Sequence, residues 1–371
     1  MEGRDKKEQQ IILVLTHKCN LSCRYCYEKN RDGESMSLDT AKEIITRFLS
    51  DPGIRNVDIV LFGGEPFLEF DLIKNICEWT WSKSWSTEYQ FDFSTNGTAF
   101  SKESKQWLKE NAYRIKLTLS ADGTKETHNF NRDNSFDRVD FDLFRELWNP
   151  SFVKMTIGRE TLGNLASDLV FFHEAGFLFT DCNLAEGISW TDKDAELFAQ
   201  ELEKISKYYE IHIDTPLPPL LDLELWKCSV ENRDDRKCEA GCGLLAFDCD
   251  GTQYPCNYFT SMSFSASDMK RIKEMFDGKH RLTHRDCYEH CYYYPICNSC
   301  YASDYSLCGE FGKHNESRCI MVKTQAHYAA LIQGQRISQV NADRLSGEEK
   351  AKMFLTIKAI KNILKGGGTN E

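Results

Sequence analysis

The sequence predicts an α/β fold built on a parallel sheet, followed by a cysteine-rich region and a C-terminal helix. Short apolar strands alternate with amphipathic helices through the first half of the 371-residue chain, a pattern typical of βα units. Most of the 16 cysteines follow in the second half, and residues 348–364 have the periodicity of one amphipathic helix. The sheet of such a fold is either open or curled into a full or partial barrel.

Six segments of the first half have the composition of strands. We predict them at residues 10–16, 57–62, 89–94, 114–120, 152–157 and 178–184. Helical patterns lie between them at 38–50, 101–111 and 162–175, and Ser37 stands at the N-cap position of the first helix. Parallel sheets of this kind bind ligands at the C-terminal ends of their strands. The loops that follow the strands are therefore the candidate binding site.

The composition restricts the class of protein. A hydrophobic fraction of 41% with 28% charged residues is typical of a globular chain. The net charge of −11 without a basic block argues against nucleic acid and anionic membranes as partners. The apolar run at 11–15 is too short for a signal peptide, and no stretch is long enough to span a membrane. We therefore expect a cytoplasmic protein whose clustered thiols bind metal instead of forming disulfides.

The loop after the first predicted strand carries three cysteines at C-x3-C-x2-C spacing, Cys19, Cys23 and Cys26. Three thiolates are one fewer than a closed zinc site or a [4Fe–4S] cluster requires. A cluster with three protein ligands keeps one iron open for a small molecule. The alternative is a zinc knuckle completed by His17 or by a distant cysteine.

This motif resembles that of the radical S-adenosylmethionine (SAM) enzymes, which have C-x3-C-x-aromatic-C in this position, with Tyr25 as the aromatic residue here. The resemblance implies a [4Fe–4S] cluster whose open iron binds the amino and carboxylate groups of SAM. It also implies that one electron from the cluster cleaves SAM and produces a 5′-deoxyadenosyl radical, which abstracts hydrogen from the substrate.

Later loops resemble the same family in the expected order. FGGEP follows the second predicted strand and resembles the motif that binds the SAM amino group, STNGT follows the third strand, and LSADGTKETHNFNR follows the fourth. The resemblance covers residues 8–190, implies a partial (β/α)6 barrel, and assigns SAM binding to Tyr25, Gly63, Gly64, Glu65, Asn96, Ser120 and Arg132.

The cysteine-rich second half resembles the SPASM extension of radical SAM enzymes, which holds two auxiliary [4Fe–4S] clusters. The resemblance assigns one cluster to Cys238, Cys242, Cys256 and Cys300, and the other to Cys287, Cys291, Cys297 and Cys319. The spacing departs from the family pattern, so Cys249 or Cys308 could replace a ligand, and a pair of zinc ribbons is the structural alternative. Auxiliary clusters would accept or pass the electron that a substrate radical must lose.

These assignments divide the chain into four parts. We expect a radical SAM barrel at 8–190, a bridging segment at 191–237, a SPASM-type domain at 238–325, and a C-terminal helical segment with a flexible tail at 326–371. Of the leftover cysteines, Cys77 is expected in the core, and Cys182 is expected to pack at the barrel wall, where substrate handling is the alternative.

Two subfamilies compete for the reaction. Anaerobic sulfatase-maturating enzymes share the run from Ser120 to Arg132, but they carry an aspartate as general base just after the YPC cysteine, where this chain has Asn257. An amide cannot accept the proton. The sequence therefore favours a peptide maturase that forms thioether or carbon–carbon crosslinks.

A maturase of this kind would act on a small ribosomal precursor peptide, with flavodoxin or ferredoxin as reductant. Only about ten residues precede the first predicted strand, so leader recognition is expected to be minimal or supplied in trans. Candidate bases are the carboxylates near predicted loops at the barrel mouth: Asp248, Asp250, Glu186 and Asp304. The hypothesis from another class is a non-catalytic iron–sulfur electron carrier or zinc-binding module.

Overall fold

The computed structural model describes residues 7–31, 33–231, 238–276 and 282–366. Part of the predicted bridging segment (232–237) and most of the predicted tail (367–371) lie outside these residues. The strands are β1 (Lys7–Thr16), β2 (Ile54–Gly63), β3 (Glu88–Thr95), β4 (Ile115–Ser120), β5 (Ser151–Ile157), β6 (Phe177–Leu184), β7 (Leu244–Phe247) and β8 (Gln253–Tyr254). The helices are α1 (Leu38–Leu49), α2 (Phe70–Trp81), α3 (Lys102–Asn111), α4 (Lys125–Asn131), α5 (Phe141–Leu147), α6 (Leu165–Glu174), α7 (Asp192–Ile211), α8 (Ala266–Met275), α9 (Arg285–His290), α10 (Tyr301–Cys308), α11 (Ser317–Ser338) and α12 (Gly347–Leu364).

The strands form one sheet in the order β6-β5-β4-β3-β2-β1-β7-β8. Each of the strands β1 to β4 pairs in parallel with the next strand in sequence, and helices connect them. The six predicted strands are confirmed, and with them the α/β class with a parallel sheet. The sheet also contains two short strands that the sequence did not predict as part of it. Strand β7 pairs in parallel with β1, and β8 returns antiparallel to β7.

Local sequence explains why these elements form where they do. The centre of β1 is an unbroken apolar run, and its side chains from Ile11 to Leu15 are buried, as expected for a strand covered on both faces. Helix α1 begins after Ser37, whose side chain accepts a hydrogen bond from the Thr40 N–H, and this confirms the predicted N-cap. Its buried face includes the predicted Ile44 and Phe48.

Two compact units account for the described residues. The first consists of the described parts of Met1–Ala121, His128–Lys154 and Glu239–Leu282. The second consists of the described parts of Asp122–Thr127, Met155–Cys238 and Thr283–Glu371.

Helix α7 occupies much of the segment for which the sequence analysis expected only an irregular bridge. It runs for 20 residues and begins with a capping box, in which Thr191 and Asp194 exchange side-chain and backbone hydrogen bonds. Its buried face includes Phe198, Leu202 and Ile205. The second unit therefore contains a full amphipathic helix here.

In the part of the chain that the structure describes, no helix has the length and apolar character needed to cross a membrane.

Candidate functional site

The three cysteines in the loop after β1 interact with the same positively charged residue, Arg31. Cys19, Cys23 and Cys26 are all partly exposed, and the N–H of Cys26 donates to the Cys23 carbonyl over 3.2 Å. The Arg31 guanidinium interacts electrostatically with all three thiols and donates a hydrogen bond to the Leu21 carbonyl. The predicted cluster ligands therefore interact with a cation that offsets part of their combined negative charge once they are ionised.

The protonation of these thiols is consistent with a metal site. Burial raises the pKa of Cys19 to about 11 and also raises the pKa of Cys26, so metal binding must displace their protons. His17, which could complete a zinc knuckle, has its Nε2 atom 2.7 Å from Asp248 Oδ1. The loop therefore presents three thiols without a fourth ligand from His17, and this donor set fits a cluster that keeps one iron open.

The glycine loop after β2 lies directly against the cysteine loop. The Gly64 N–H donates to the Thr16 carbonyl over 3.0 Å, and the Glu65 N–H donates to the Lys18 carbonyl over 2.8 Å. A Cβ atom at Gly64 would lie 2.5 Å from the Lys18 carbonyl oxygen and 2.9 Å from Cys19 Cβ. Only glycine fits this approach, so the GGE motif positions the backbone next to a predicted cluster ligand.

We expect Gly64→Ala to reduce SAM cleavage about 100-fold, because the new methyl group meets backbone atoms that hold Cys19 and displaces them. The measurement is the rate of 5′-deoxyadenosine formation by the reconstituted protein under anaerobic conditions. Gly347→Ala is the matched control, since a Cβ there meets nothing within 4 Å, and its rate should equal that of the parent. A Gly64→Ala variant as active as the parent would contradict the close approach.

Glu65 connects the glycine loop to the loop after β3. Its buried carboxylate accepts hydrogen bonds from Thr95 Oγ1 over 2.7 Å, from the Asn96 N–H over 2.7 Å and from the Phe67 N–H over 3.1 Å. Burial raises the pKa of Glu65, while these donors and the charge of Arg132 oppose that rise. The carboxylate thus fixes two of the predicted SAM-binding loops relative to each other.

The other predicted SAM residues lie at the same edge of the first unit. Asn96 Nδ2 donates to Asn20 Oδ1, in the cysteine loop, over 2.9 Å. The buried Arg132 places its guanidinium 5.6 Å from the centre of the Tyr25 ring, also in the cysteine loop. Ser120 is the last residue of β4. Asn96 and Arg132 therefore contact the cysteine loop, which contains Tyr25. Ser120 has the strand-end position that the sequence predicts.

The thiols of one predicted auxiliary set lie together in the second unit. Cys287, Cys291, Cys297 and Cys319 all line a single cavity. Burial raises the pKa of Cys291, and the neighbouring Cys297 and Cys319 raise it further by charge repulsion. Four thiols that line one cavity fit the ligand count of a [4Fe–4S] cluster.

The other predicted auxiliary set divides between the two units, with Cys242 and Cys256 in the first and Cys238 and Cys300 in the second. Within the first unit, the Gly241 N–H donates to the Pro255 carbonyl over 3.1 Å. This hydrogen bond joins the residues immediately before Cys242 and Cys256, so the backbones that carry these two cysteines are adjacent. The assignment of all four to one cluster remains a prediction.

Several cysteines outside these sets have their own environments. The buried Cys249 donates its Sγ–H to the Val14 carbonyl over 3.3 Å, and Cys308 is the last residue of α10. Cys77 and Cys182 are fully enclosed, and burial raises the pKa of both thiols. Their positions match the core packing expected of them.

Two of the candidate bases have structural partners in the first unit. Asp248 contacts His17 through Oδ1 and accepts a hydrogen bond from Ser261 Oγ over 2.7 Å through Oδ2. Burial opposes ionisation of Asp248, but these hydrogen bonds outweigh it and lower its pKa to about 2. Asp250 accepts hydrogen bonds from the N–H and hydroxyl of Thr252. Asp248 is therefore a weak base, and Asp250 stabilises a turn.

The other two candidates differ from each other. Burial opposes ionisation of Asp304, but hydrogen bonds to His284 and His314 lower its pKa. Burial raises the pKa of Glu186, and the guanidinium of Arg318, 3.4 Å away, only partly opposes this. Glu186 follows β6 at the C-terminal end of that strand. Of the four carboxylates, Glu186 has the position and the raised pKa that suit a general base.

Two groups that contact the predicted cluster ligands, Arg31 and His314, were not predicted from the sequence. Arg31 follows Cys26 in the same loop, but its orientation toward the thiols depends on how that loop folds. His314 has its Nε2 atom 3.1 Å from Cys319 Sγ. Neither residue belongs to a motif at a fixed spacing, so the sequence contained no signal for them beyond proximity to cysteines.

Comparison with known proteins agrees with this geometry. Residues 13–162 match the model of the Radical SAM superfamily, a range that contains the cysteine loop, the glycine loop and all seven predicted SAM-binding residues. The chain thus carries a radical SAM domain.

Curated relatives extend the similarity into the second half. An uncharacterized protein of Methanocaldococcus jannaschii is 33% identical over 31% of this chain and 39% of its own length. A cysteine-type anaerobic sulfatase-maturating enzyme of Clostridium novyi is 22% identical over 79% of this chain and 87% of its own. The radical SAM cyclopropyl synthase TigE of Paramaledivibacter caminithermalis is 20% identical over 68% of this chain and 59% of its own. The chain is homologous to the sulfatase-maturating enzyme and to the cyclopropyl synthase.

Solved structures share the fold. The sulfatase-maturating enzyme anSMEcpe with bound AdoMet matches with a TM-score of 0.67 and 17% identity, over 90% of this chain and all of that one. SuiB of Streptococcus suis, bound to its precursor peptide SuiA, matches with a TM-score of 0.55 and 17% identity, over 83% of this chain and 75% of that one. The radical SAM domain and these relatives place the chain in the class of radical SAM enzymes that includes sulfatase maturases and peptide maturases.

Proposed function

We propose that the protein is a peptide maturase that abstracts a hydrogen atom from a residue of a ribosomally made peptide and forms a thioether or carbon–carbon crosslink. Structures of anSMEcpe and SuiB with bound peptides support a peptide as the substrate class. The proposed site is the edge of the first unit where Cys19, Cys23 and Cys26 lie beside Gly64 and Arg132. The reductant would be a flavodoxin or ferredoxin, and the compartment the cytoplasm.

The proposed cofactors are SAM and three [4Fe–4S] clusters, which when bound supply the 5′-deoxyadenosyl radical and an acceptor for one electron. Crosslinking removes one hydrogen atom, one proton and one electron from the peptide as the new bond forms. The hydrogen atom ends in 5′-deoxyadenosine, and the electron goes to an auxiliary cluster. The proton needs a base of this chain, and we assign that role to Glu186 because burial raises its pKa.

The choice of crosslinking over formylglycine formation rests on Asn257. Its Nδ2 atom donates a hydrogen bond to the Tyr27 hydroxyl over 2.9 Å, and Tyr27 follows Cys26 in the cysteine loop. An amide thus occupies the position at which sulfatase maturases carry their basic aspartate, and it cannot remove a proton. Formylglycine formation remains the second candidate, supported by the similarity to a sulfatase-maturating enzyme over 79% of this chain.

Mass spectrometry of two peptides separates these two reactions. The reconstituted protein is incubated with SAM, a reductant and either the small peptide encoded beside its gene or a sulfatase-type peptide that contains cysteine. Crosslinking removes hydrogen from the first peptide and retains all of its sulfur. Formylglycine formation from cysteine removes sulfur from the second peptide, and that result would contradict the proposal.

We expect Glu186→Gln to reduce the rate of crosslinked product at least about 100-fold while 5′-deoxyadenosine still forms, because hydrogen abstraction does not need the base but bond formation does. The parent rate should rise with pH through a pKa above the ordinary range of glutamate, since burial raises the pKa of this carboxyl and only its ionised form accepts a proton. The measurement is the ratio of crosslinked peptide to 5′-deoxyadenosine across pH.

Glu126→Gln serves as the control for that experiment, because Glu126 is exposed on α4. It removes a carboxylate without changing the buried site, so its product ratio should match that of the parent. An unchanged product ratio in Glu186→Gln would exclude Glu186 as the base.

A further inference from the structure

A buried carboxylate lies between two histidines in the second unit, beside the thiols that share one cavity. Asp304 Oδ2 lies 2.7 Å from His314 Nδ1 and 2.8 Å from His284 Nε2, and Asp304 is only 3% exposed. The other ring nitrogen of His314, Nε2, lies 3.1 Å from Cys319 Sγ. Both histidines line the same cavity as the four thiols. Asp304, His314 and Cys319 thus form a continuous chain that ends on a predicted cluster ligand.

The chemistry of the two ends determines where the protons are. A thiolate that binds iron has lost its proton, so a hydrogen between Cys319 and His314 must belong to the ring. An ionised carboxylate only accepts hydrogen bonds, so Asp304 accepts from the other ring nitrogen of His314. The ring therefore presents an N–H group to the sulfur of Cys319.

His284 supports this arrangement by contacting the same carboxylate oxygen as His314. Its ring stacks on Tyr301 with the ring centres 4.7 Å apart, and its Nδ1 atom lies 3.2 Å from the Gly312 carbonyl oxygen. The position of His284 fixes Asp304, and Asp304 in turn orients His314. Such carboxylate–histidine pairs commonly orient the groups around metal sites.

We propose that Asp304 and His314 are positioning residues that hold an N–H group against the Cys319 sulfur and thereby raise the reduction potential of the cluster bound by Cys287, Cys291, Cys297 and Cys319. The inference rests on the proposed function, since it requires that these thiols bind an iron–sulfur cluster. A hydrogen bond to a cluster sulfur stabilises the reduced form, which carries one more electron. With this hydrogen bond, the cluster accepts the electron that a substrate radical loses more readily than it would without the bond.

The test is a redox titration of the full chain followed by electron paramagnetic resonance, with iron content measured on the same samples. All samples carry Cys19→Ala, Cys23→Ala and Cys26→Ala, which removes the signal of the radical SAM cluster. His314→Phe removes the N–H donor. The ratio of oxidised to reduced cluster at a given potential should rise about tenfold, which lowers the reduction potential by about 59 mV for one electron. His314→Gln keeps an N–H donor and should recover part of that shift. Both variants should retain the iron of their parent.

Equal potentials in the parent, His314→Phe and His314→Gln proteins would overturn the inference. Loss of about four irons per chain from His314→Gln would also overturn it, because His314 would then hold the cluster instead of tuning it. The titration needs neither SAM nor peptide. If His314→Phe shifts the potential but the protein with its cysteine loop intact modifies no peptide, only the proposed reaction is refuted. If the potential does not shift but the protein with its cysteine loop intact crosslinks its peptide, only this inference is refuted.

Discussion

Replacement of Cys26 by alanine is expected to abolish 5′-deoxyadenosine formation and to remove about four irons per chain. Cys26 is one of three thiols that interact with Arg31, and its N–H is bonded to the carbonyl of Cys23. A cluster that already has one iron without a protein ligand has no spare protein ligand to lose. The measurement is iron content together with 5′-deoxyadenosine after anaerobic incubation with SAM and dithionite.

Cys77→Ala is the matched control for that experiment, since it also removes a thiol from the first unit. Cys77 is fully buried on α2, away from the strand-end loops in sequence, and its loss costs packing only. Its iron content and cleavage rate should equal those of the parent. If Cys26→Ala kept its iron and still cleaved SAM, the assignment of the cysteine loop to the cluster would be wrong.

Replacement of Cys291 by alanine should have a different outcome: loss of all crosslinked peptide with continued formation of 5′-deoxyadenosine. Cys291 lines the cavity that also contains Cys287, Cys297 and Cys319, and their charges act on its thiol. Without this cluster the substrate radical lacks the acceptor that we propose for its electron, whereas the cysteine loop of the first unit is unchanged. Iron content should fall by about four per chain.

Cys308→Ala distinguishes loss of a ligand from loss of any cysteine in this region. Cys308 ends α10 and does not line the cavity of the four thiols, so its replacement should preserve both iron and product. Loss of iron from Cys308→Ala with retention in Cys291→Ala would show that the ligands have been sorted incorrectly.

The fold was predictable where a short stretch of sequence determines it. Strand β1 has five consecutive apolar residues from Ile11 to Leu15, and helix α1 has Ser37 at its N-cap, so both were predicted within a few residues. Helix α7 was missed although Thr191 and Asp194 form a capping box, because turn residues further along suggested a bridge. The pairing of β7 with β1 was not predictable, since it joins Leu244 to Gln10 across more than half of the chain.

The site divides in the same way. The spacing predicted Cys19, Cys23 and Cys26 as cluster ligands, and in the structure all three interact with Arg31, which the spacing could not predict. The sequence could not rank the candidate bases, because their strength depends on neighbours distant in the chain. Asp248 contacts His17, which lowers its basicity, and only the folded structure contains that contact.

The most direct test of the central claim is the anaerobic incubation of the reconstituted, unmodified protein with SAM and dithionite. If the protein is a radical SAM enzyme with two auxiliary clusters, we expect about twelve irons per chain. We also expect 5′-deoxyadenosine to accumulate only when both SAM and reductant are present. A protein that binds its iron but forms no 5′-deoxyadenosine would contradict the claim and would favour a non-catalytic electron carrier.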